Sequence, residues 1–158
     1  MITSEPLLRP RIEVSVGTQH LALWNGFHQV KSWPCSTSKF GLGYTEGSNK
    51  TPLGGFVIRE KHGHGAPAGT IFKSREPVGL WTPEIETADD LILSRILWLE
   101  GVEKRNANTY KRYIYIHGTN DVRHIGRPAS HGCVRLANES VIELFDLVTV
   151  GTSVWITE

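Results

Sequence analysis

The sequence predicts a mostly β domain with a minor helical part (α+β minor), and three observations predict it. The 158 residues suit one domain with one continuous core. Sixteen glycines and eight prolines in so short a chain imply many turns. Between those turns, short runs alternate apolar and polar residues with the period of half-buried strands. Residues 1–10 read as a lead-in and 11–158 as a single domain.

Ile12, Val14 and Val16 give the first alternating run, starting near Arg11. Leu21–Trp24 and Phe27–Trp33 flank Asn25-Gly26, a pair that supplies the two positive-φ residues of a type I′ hairpin turn. Residues 34–55 are turn-rich and lead to a short strand at Phe56–Arg59. His62-Gly-His-Gly-Ala-Pro-Ala-Gly69 predicts a loop. Leu91–Leu99 is apolar on both faces apart from Ser94 and Arg95, and fits either a buried strand or a helix behind a Thr87/Asp90 capping pair. Lys111–His117 alternates Tyr113 and Tyr115 with Ile114 and Ile116, which predicts a strand. Asn138 is a candidate cap for a helix with Val141, Leu144, Phe145 and Val148 at i, i+3, i+4 and i+7. Gly151 ends that helix, and Val154 and Ile156 mark a last strand.

The net charge of +1 offers no polyanion-binding surface, so a nucleic-acid partner is not expected. No stretch approaches the roughly 18 apolar residues of a membrane span, and no membrane partner is expected. The opening MITSEPLLRP lacks a basic n-region, a long apolar run and a small-residue cleavage site. With Met1 as the natural start the expected location is cytoplasmic; an upstream signal would make it periplasmic. A Cys35–Cys133 disulfide would consume the more reactive of the two cysteines, and the reading here leaves both free.

The densest group of reactive side chains is His117-Gly-Thr-Asn-Asp121 followed by Arg127-Pro-Ala-Ser-His-Gly-Cys-Val-Arg135. A thiol becomes a useful nucleophile when an imidazole generates or stabilises its thiolate. His117, at the end of an expected strand, has a rigid mount. The turn Ser130-His-Gly-Cys lets successive backbone N–H groups converge beside the sulfur, and such groups can form an oxyanion hole. Arg135 has two readings: a guanidinium fork for a substrate carboxylate, or an internal brace, for instance with Asp121. His131 either lines the site or props the turn. His117, His124, His131, Cys133, His62 and His64 are all metal-capable, yet no HExxH or CxxC pattern occurs, and neither metal nor cofactor is expected.

This segment resembles the YkuD-type L,D-transpeptidase catalytic domain, whose hallmark is a His followed at this spacing by Ser-His-Gly-Cys-x-Arg/Asn. Lys50-Thr-Pro-Leu-Gly54 is similar to the family's Lys-Thr-Pro-x-Gly turn, and Asp146…Gly151-Thr-Ser-Val154 to its closing helix and strand. The resemblance implies a β-sandwich or barrel with one or two short helices. It implies Cys133 as nucleophile, His117 as base and the Gly118 carbonyl as orienter of the imidazole. The amides of Gly132, Cys133 and His131 are the implied oxyanion hole, with Arg135, Ser130 and Thr119 toward substrate. The implied substrate is the peptidoglycan stem tetrapeptide, cleaved between its third, L-centred residue and D-alanine, and carbapenems are implied covalent inhibitors. With no export signal seen, the expected reaction is L,D-carboxypeptidation in murein recycling. L,D-transpeptidation of the wall and a non-catalytic muropeptide- or zinc-binding module are the alternatives.

Overall fold

A computed structural model describes residues 5–158, so the first four residues of the lead-in lie outside it. Ten strands make up the fold: β1 (Pro10–Ser15), β2 (His20–Asn25), β3 (His28–Ser36), β4 (Gly54–His62), β5 (Thr70–Lys73), β6 (Glu76–Leu80), β7 (Ile92–Gly101), β8 (Tyr115–Gly118), β9 (Val134–Leu136) and β10 (Ser153–Thr157). One α-helix, α1 (Asn138–Leu147), follows β9. The strands hydrogen-bond in the order β4-β10-β1-β2-β3-β9-β8-β7-β5-β6, and a further β4–β7 pairing closes the first eight into a barrel. The β5–β6 hairpin is left as an appendage of β7. Pairs β1–β10 and β8–β9 are parallel and the others antiparallel.

An eight-stranded barrel is just wide enough for side chains to fill. Ile12, Val14, Leu21, Leu23, Leu97, Leu99, Ile116 and Val134 belong to one buried cluster, and Val141, Leu144 and Phe145 of α1 join it. Truncating one of the leucines to Ala would cost roughly 2–5 kcal/mol through lost burial and the cavity left. Lys61 Nζ donates to the carbonyls of Phe145 and Val148, both at 2.7 Å, placing a cation on the unsatisfied C-terminal carbonyls of α1.

Leu91–Leu99, open to two readings above, is strand β7. Ser94, at φ 73°, breaks its register between Leu93 and Ile96. Four expectations are corrected. The hairpin after β2 pairs Asn25 with His28, so its loop is Gly26-Phe27, and only Gly26 has positive φ; the turn is not type I′. Strand β8 starts at Tyr115 rather than Lys111, because Tyr110–Arg112 is a 3-10 turn ended by Tyr113 in the left-handed region at φ 56°. Asn138 lies inside α1, behind Ala137 at the N-cap. Its side chain instead accepts from the Ser94 hydroxyl and donates to the Thr119 carbonyl. Likewise Thr87 and Asp90 cap no helix: Asp90 closes the exposed loop that precedes β7.

Candidate active site

Strands β8 and β9 lie side by side with Ile116 opposite Val134 and His117 opposite Arg135. Ile116 and Val134 point into the core. By strand alternation Tyr115 and His117 share the other face with Cys133 and Arg135. Cys133 and His117 are therefore diagonal neighbours, roughly 8 Å apart between Cα atoms from strand spacing and rise. The Tyr115 N–H donates to Cys133 Sγ at 3.3 Å, and the thiol donates to the Tyr113 carbonyl at 3.4 Å. Cys133 is half-buried, and burial pushes its pKa up to about 12, with Asp90 adding to the rise and the Tyr115 N–H, Arg135 and Arg112 opposing it. Cys35 is fully buried and not bonded to Cys133.

His117 is 2% exposed. Its Nδ1 lies 2.5 Å from the Gly118 carbonyl, which can only accept, so Nδ1 carries the proton and Nε2 is bare in the neutral ring. Burial pulls its pKa below the ordinary histidine value, against the Gly118 carbonyl and Asp90, which raise it. Gly118 has no room for a side chain: a Cβ would collide with Asn138 Oδ1 and stand 2.6 Å from the Leu93 carbonyl.

The motif turn is held from inside. Ser130 is fully buried; its hydroxyl donates to the Cys133 carbonyl at 2.6 Å and accepts the Gly132 N–H at 3.3 Å. Gly132 sits at φ 122°, a conformation that favours glycine. The Thr51 hydroxyl donates to the Gly132 carbonyl at 3.0 Å and accepts the Ser38 N–H at 3.0 Å. That pair of bonds is what the Lys50-Thr-Pro-Leu-Gly54 turn contributes to the site. Arg112 secures the same turn by donating to the Lys50 carbonyl at 2.7 Å.

Arg135, also 2% exposed, pairs with Asp90 at 3.0 Å and Asp121 at 3.1 Å. Of its two sequence readings the structure displays the internal brace. Asp90 additionally meets His131 Nδ1 at 3.0 Å. Burial raises the Asp90 pKa, but the charge of His117 when protonated, the hydrogen bond from His131, and the charge and hydrogen bond of Arg135 outweigh it and hold the carboxyl below the usual range. Thr119 is fully buried, its hydroxyl oxygen accepting the Asp121 N–H at 3.0 Å. Thr119 and Ser130 thus brace the turn, whereas His131 is exposed. The parts played by Thr51 and Asp90 escape a reading of the sequence. Asp90 meets His131 and Arg135 from 41 and 45 residues away, and no local pattern signals it.

A hollow of about 290 Å³ flanks the turn, lined by Glu46, Asn49, Arg112, Tyr113, Ile114 and His131. A polar hollow of about 350 Å³ lies on the other side of His131, among Lys39, Asp90, Asn120, Asp121 and Arg123. A larger one of about 620 Å³, between Trp24 and Trp155 on β1, β2 and β10, shares no residue with the motif. Among the described residues no three His, Cys, Asp or Glu side chains converge as a metal site would require. No described helix is long and apolar enough to cross a membrane.

Comparison with known proteins agrees with this fold. The family model of the L,D-transpeptidase catalytic domain, YkuD, matches residues 9–156. A protein of Fuscovulum blasticum named for L,D-transpeptidase activity, from its ATP synthase subunits region, is 31% identical over 155 residues, covering 95% of this chain and 70% of its own length. The YkuD protein of Bacillus licheniformis, named for the same activity, is 30% identical over 147 residues, or 93% of this chain and 65% of its own. Among solved structures, LdtMt1 in complex with imipenem superposes with a TM-score of 0.60 at 20% identity, over 94% of this chain and 58% of that one. At that identity the likeness speaks for the fold. The chain spans between about three fifths and seven tenths of the proteins it matches.

Proposed function

Since the chain belongs to the YkuD family of L,D-transpeptidase catalytic domains, we propose that it is a cysteine acyl-transfer enzyme acting on peptidoglycan stem peptides through Cys133. The observation that carries the reading is the shared face of β8 and β9. It sets a half-buried thiol beside an imidazole whose tautomer is fixed by a backbone carbonyl.

In the proposed reaction His117 Nε2 takes the Cys133 proton as the sulfur attacks the carbonyl of the third, L-centred residue. The C–S bond forms and the carbonyl oxygen becomes an oxyanion. The Cys133 and His131 amides face it, and the Gly132 amide joins them by leaving its long bond to Ser130. Collapse breaks the C–N bond, the imidazolium protonates the departing nitrogen, and D-alanine leaves a thioester. Water, deprotonated by the same Nε2, then attacks the thioester and releases a tripeptide and the thiol. The Gly118 carbonyl orients the ring throughout, and no carboxylate is needed on Nδ1.

Water is the acceptor assigned first. The imidazole is 2% exposed, so the smallest acceptor is the one its surroundings accommodate most readily. The reaction is then L,D-carboxypeptidation, suited to reuse of free stems in the cytoplasm. Cross-linking is the second reading, favoured by the 290 Å³ hollow beside the turn, which offers room for an acceptor stem.

The test is incubation of the protein with a tetrapeptide stem, with and without an acceptor stem, read by mass spectrometry. D-alanine and tripeptide are expected, with release abolished in Cys133→Ala and strongly reduced in His117→Ala. Undiminished release in Cys133→Ala overturns the assignment, and a predominance of dimer moves cross-linking to first place. Imipenem is expected to leave a covalent mass adduct on wild type and none on Cys133→Ala. Fractionation of the native cells tests the location.

A further inference from the structure

The hairpin β5–β6 ends in a two-residue turn closed by the Lys73–Glu76 pair. Its two loop residues, Ser74 and Arg75, have φ of 49° and 64°. Both are positive, as a type I′ turn demands, yet neither is the Asn or Gly that such a turn favours. Strained residues of this kind collect at functional sites. A third, Tyr113 at φ 56°, stands next to them: the Arg75 guanidinium carbon lies 5.5 Å from its ring centre and 4.8 Å from that of Trp98. The guanidinium also faces the Tyr115 hydroxyl. Tyr113 and Tyr115 are the residues whose backbone groups hold the Cys133 sulfur. The hairpin thus delivers a cation to the aromatic wall that flanks the nucleophile.

Arg75 differs from the two arginines that hold the motif. Arg135 is saturated by two carboxylates and Arg112 donates to the Gly43 and Lys50 carbonyls, whereas no carboxylate among the described residues lies within 4.0 Å of Arg75. Glu60, on the same side, is held by the Tyr110 hydroxyl and by His62. Stacking on tryptophan and tyrosine uses the face of a guanidinium, and the N–H groups not turned to the Tyr115 hydroxyl are left for a planar acceptor.

We propose that Arg75 is a specificity residue that binds a carboxylate of the stem peptide while the scissile carbonyl lies over Cys133. This rests on the function proposed above. Two carboxylates of a stem could be the one bound: the terminal carboxylate of the departing D-residue, or a side-chain carboxylate on the third residue.

Three tetrapeptides separate these sources: the full acid, its C-terminal amide, and the amide of the third residue's side chain. For wild type, amidating the bound carboxylate should lower kcat/KM roughly 10- to 100-fold, chiefly through KM, as expected for a charge-assisted pair. Arg75→Ala should lower kcat/KM for the full acid by the same factor and match wild type on the discriminating amide; Arg75→Lys should fall between. A double change of Ser74→Asn and Arg75→Gly supplies the favoured turn residues. It is expected to raise Tm while losing the discrimination, which separates recognition from folding. Calorimetric binding of the three peptides to Cys133→Ala reads the same preference without turnover, so absence of D-alanine release would sink the proposed reaction and leave this assignment to the binding result. Equal losses on all three peptides in Arg75→Ala, or discrimination that survives it, would overturn the proposal.

Discussion

Thr51→Val removes one oxygen from the turn before β4 and leaves two buried backbone groups without partners. In wild type the hydroxyl donates to the Gly132 carbonyl and accepts the Ser38 N–H, each at 3.0 Å, and Thr51 is fully buried. Valine keeps the shape but can satisfy neither group. Stranding a buried donor or acceptor costs roughly 1–3 kcal/mol, so two cost about 2–6, and some relaxation toward water brings the expectation to about 3 kcal/mol. For a chain of this length that corresponds to a fall in Tm of roughly 6–12 °C. Urea unfolding should show the loss in the midpoint, with the slope unchanged. The Gly132 carbonyl is one bond from the Cys133 nitrogen, so freeing it should also slow imipenem acylation of the folded protein, by about tenfold if roughly 1.4 kcal/mol of turn positioning is lost. Thr51→Ser is the control: it keeps the hydroxyl and gives up a methyl, at about 1 kcal/mol. If Thr51→Val unfolds within 0.5 kcal/mol of wild type, or Thr51→Ser is as damaging, the two bonds do not hold the turn.

Two further expectations follow from titration. The thiol, pushed up to about 12 by burial, is protonated at neutral pH, so alkylation by iodoacetamide without substrate should be slow and rise steadily into the alkaline range; a rate plateau below pH 7 would show a thiolate already present at rest. His117 has a folded-state pKa below its ordinary 6.5, so the unfolded chain binds more protons between those two values and stability falls with decreasing pH there, by about 1.4 kcal/mol per pH unit. Asp90, also lowered, adds stability above its ordinary 3.8 that is lost as pH falls further. Tm measured against pH should decline below 6.5 in wild type, and that first limb should vanish in His117→Gln; a flat wild-type profile from 6.5 to 5 refutes the assignment.

The parts of the fold legible in the sequence are those where local chemistry and tertiary packing agree. Strand β1, with Ile12 and Val14 inward, and α1, with Val141, Leu144 and Phe145 buried, carry their own periodicity. The motif is legible for another reason: reactive side chains crowd into a glycine-rich segment that resembles a known catalytic motif, and the structure places its two ends on the parallel β8–β9 pair. What stayed hidden depends on partners far along the chain. Tyr113 breaks the alternation of Lys111–His117 because its backbone turns left-handed beside the sulfur, which no pattern of apolar residues announces. The β5–β6 hairpin has Ser74-Arg75 where a turn signal would be, so the segment offered nothing to read. Asn138 looks like a cap, yet its amide is drawn to Ser94 and Thr119, whose partnership exists only after β7 and β8 have paired.

The charges around the site also explain why its chemistry rests on backbone groups. In the proposed reaction a proton passes from Cys133 to His117, so what matters is the difference between their two affinities for it. Asp90 raises both and Arg135 lowers both. Each therefore acts in the same direction on both partners, so its effects on the difference oppose one another. Beside Arg112, which favours thiolate, two backbone groups act on one partner alone: the Tyr115 N–H favours thiolate, and the Gly118 carbonyl favours imidazolium. The two backbone groups push the transfer forward, and both are main-chain atoms that no side-chain substitution removes. The acidic–basic cluster of Asp90, Asp121 and Arg135 is then free to brace the turn, while strand register and the cramped Gly118 fix the direction of the proton.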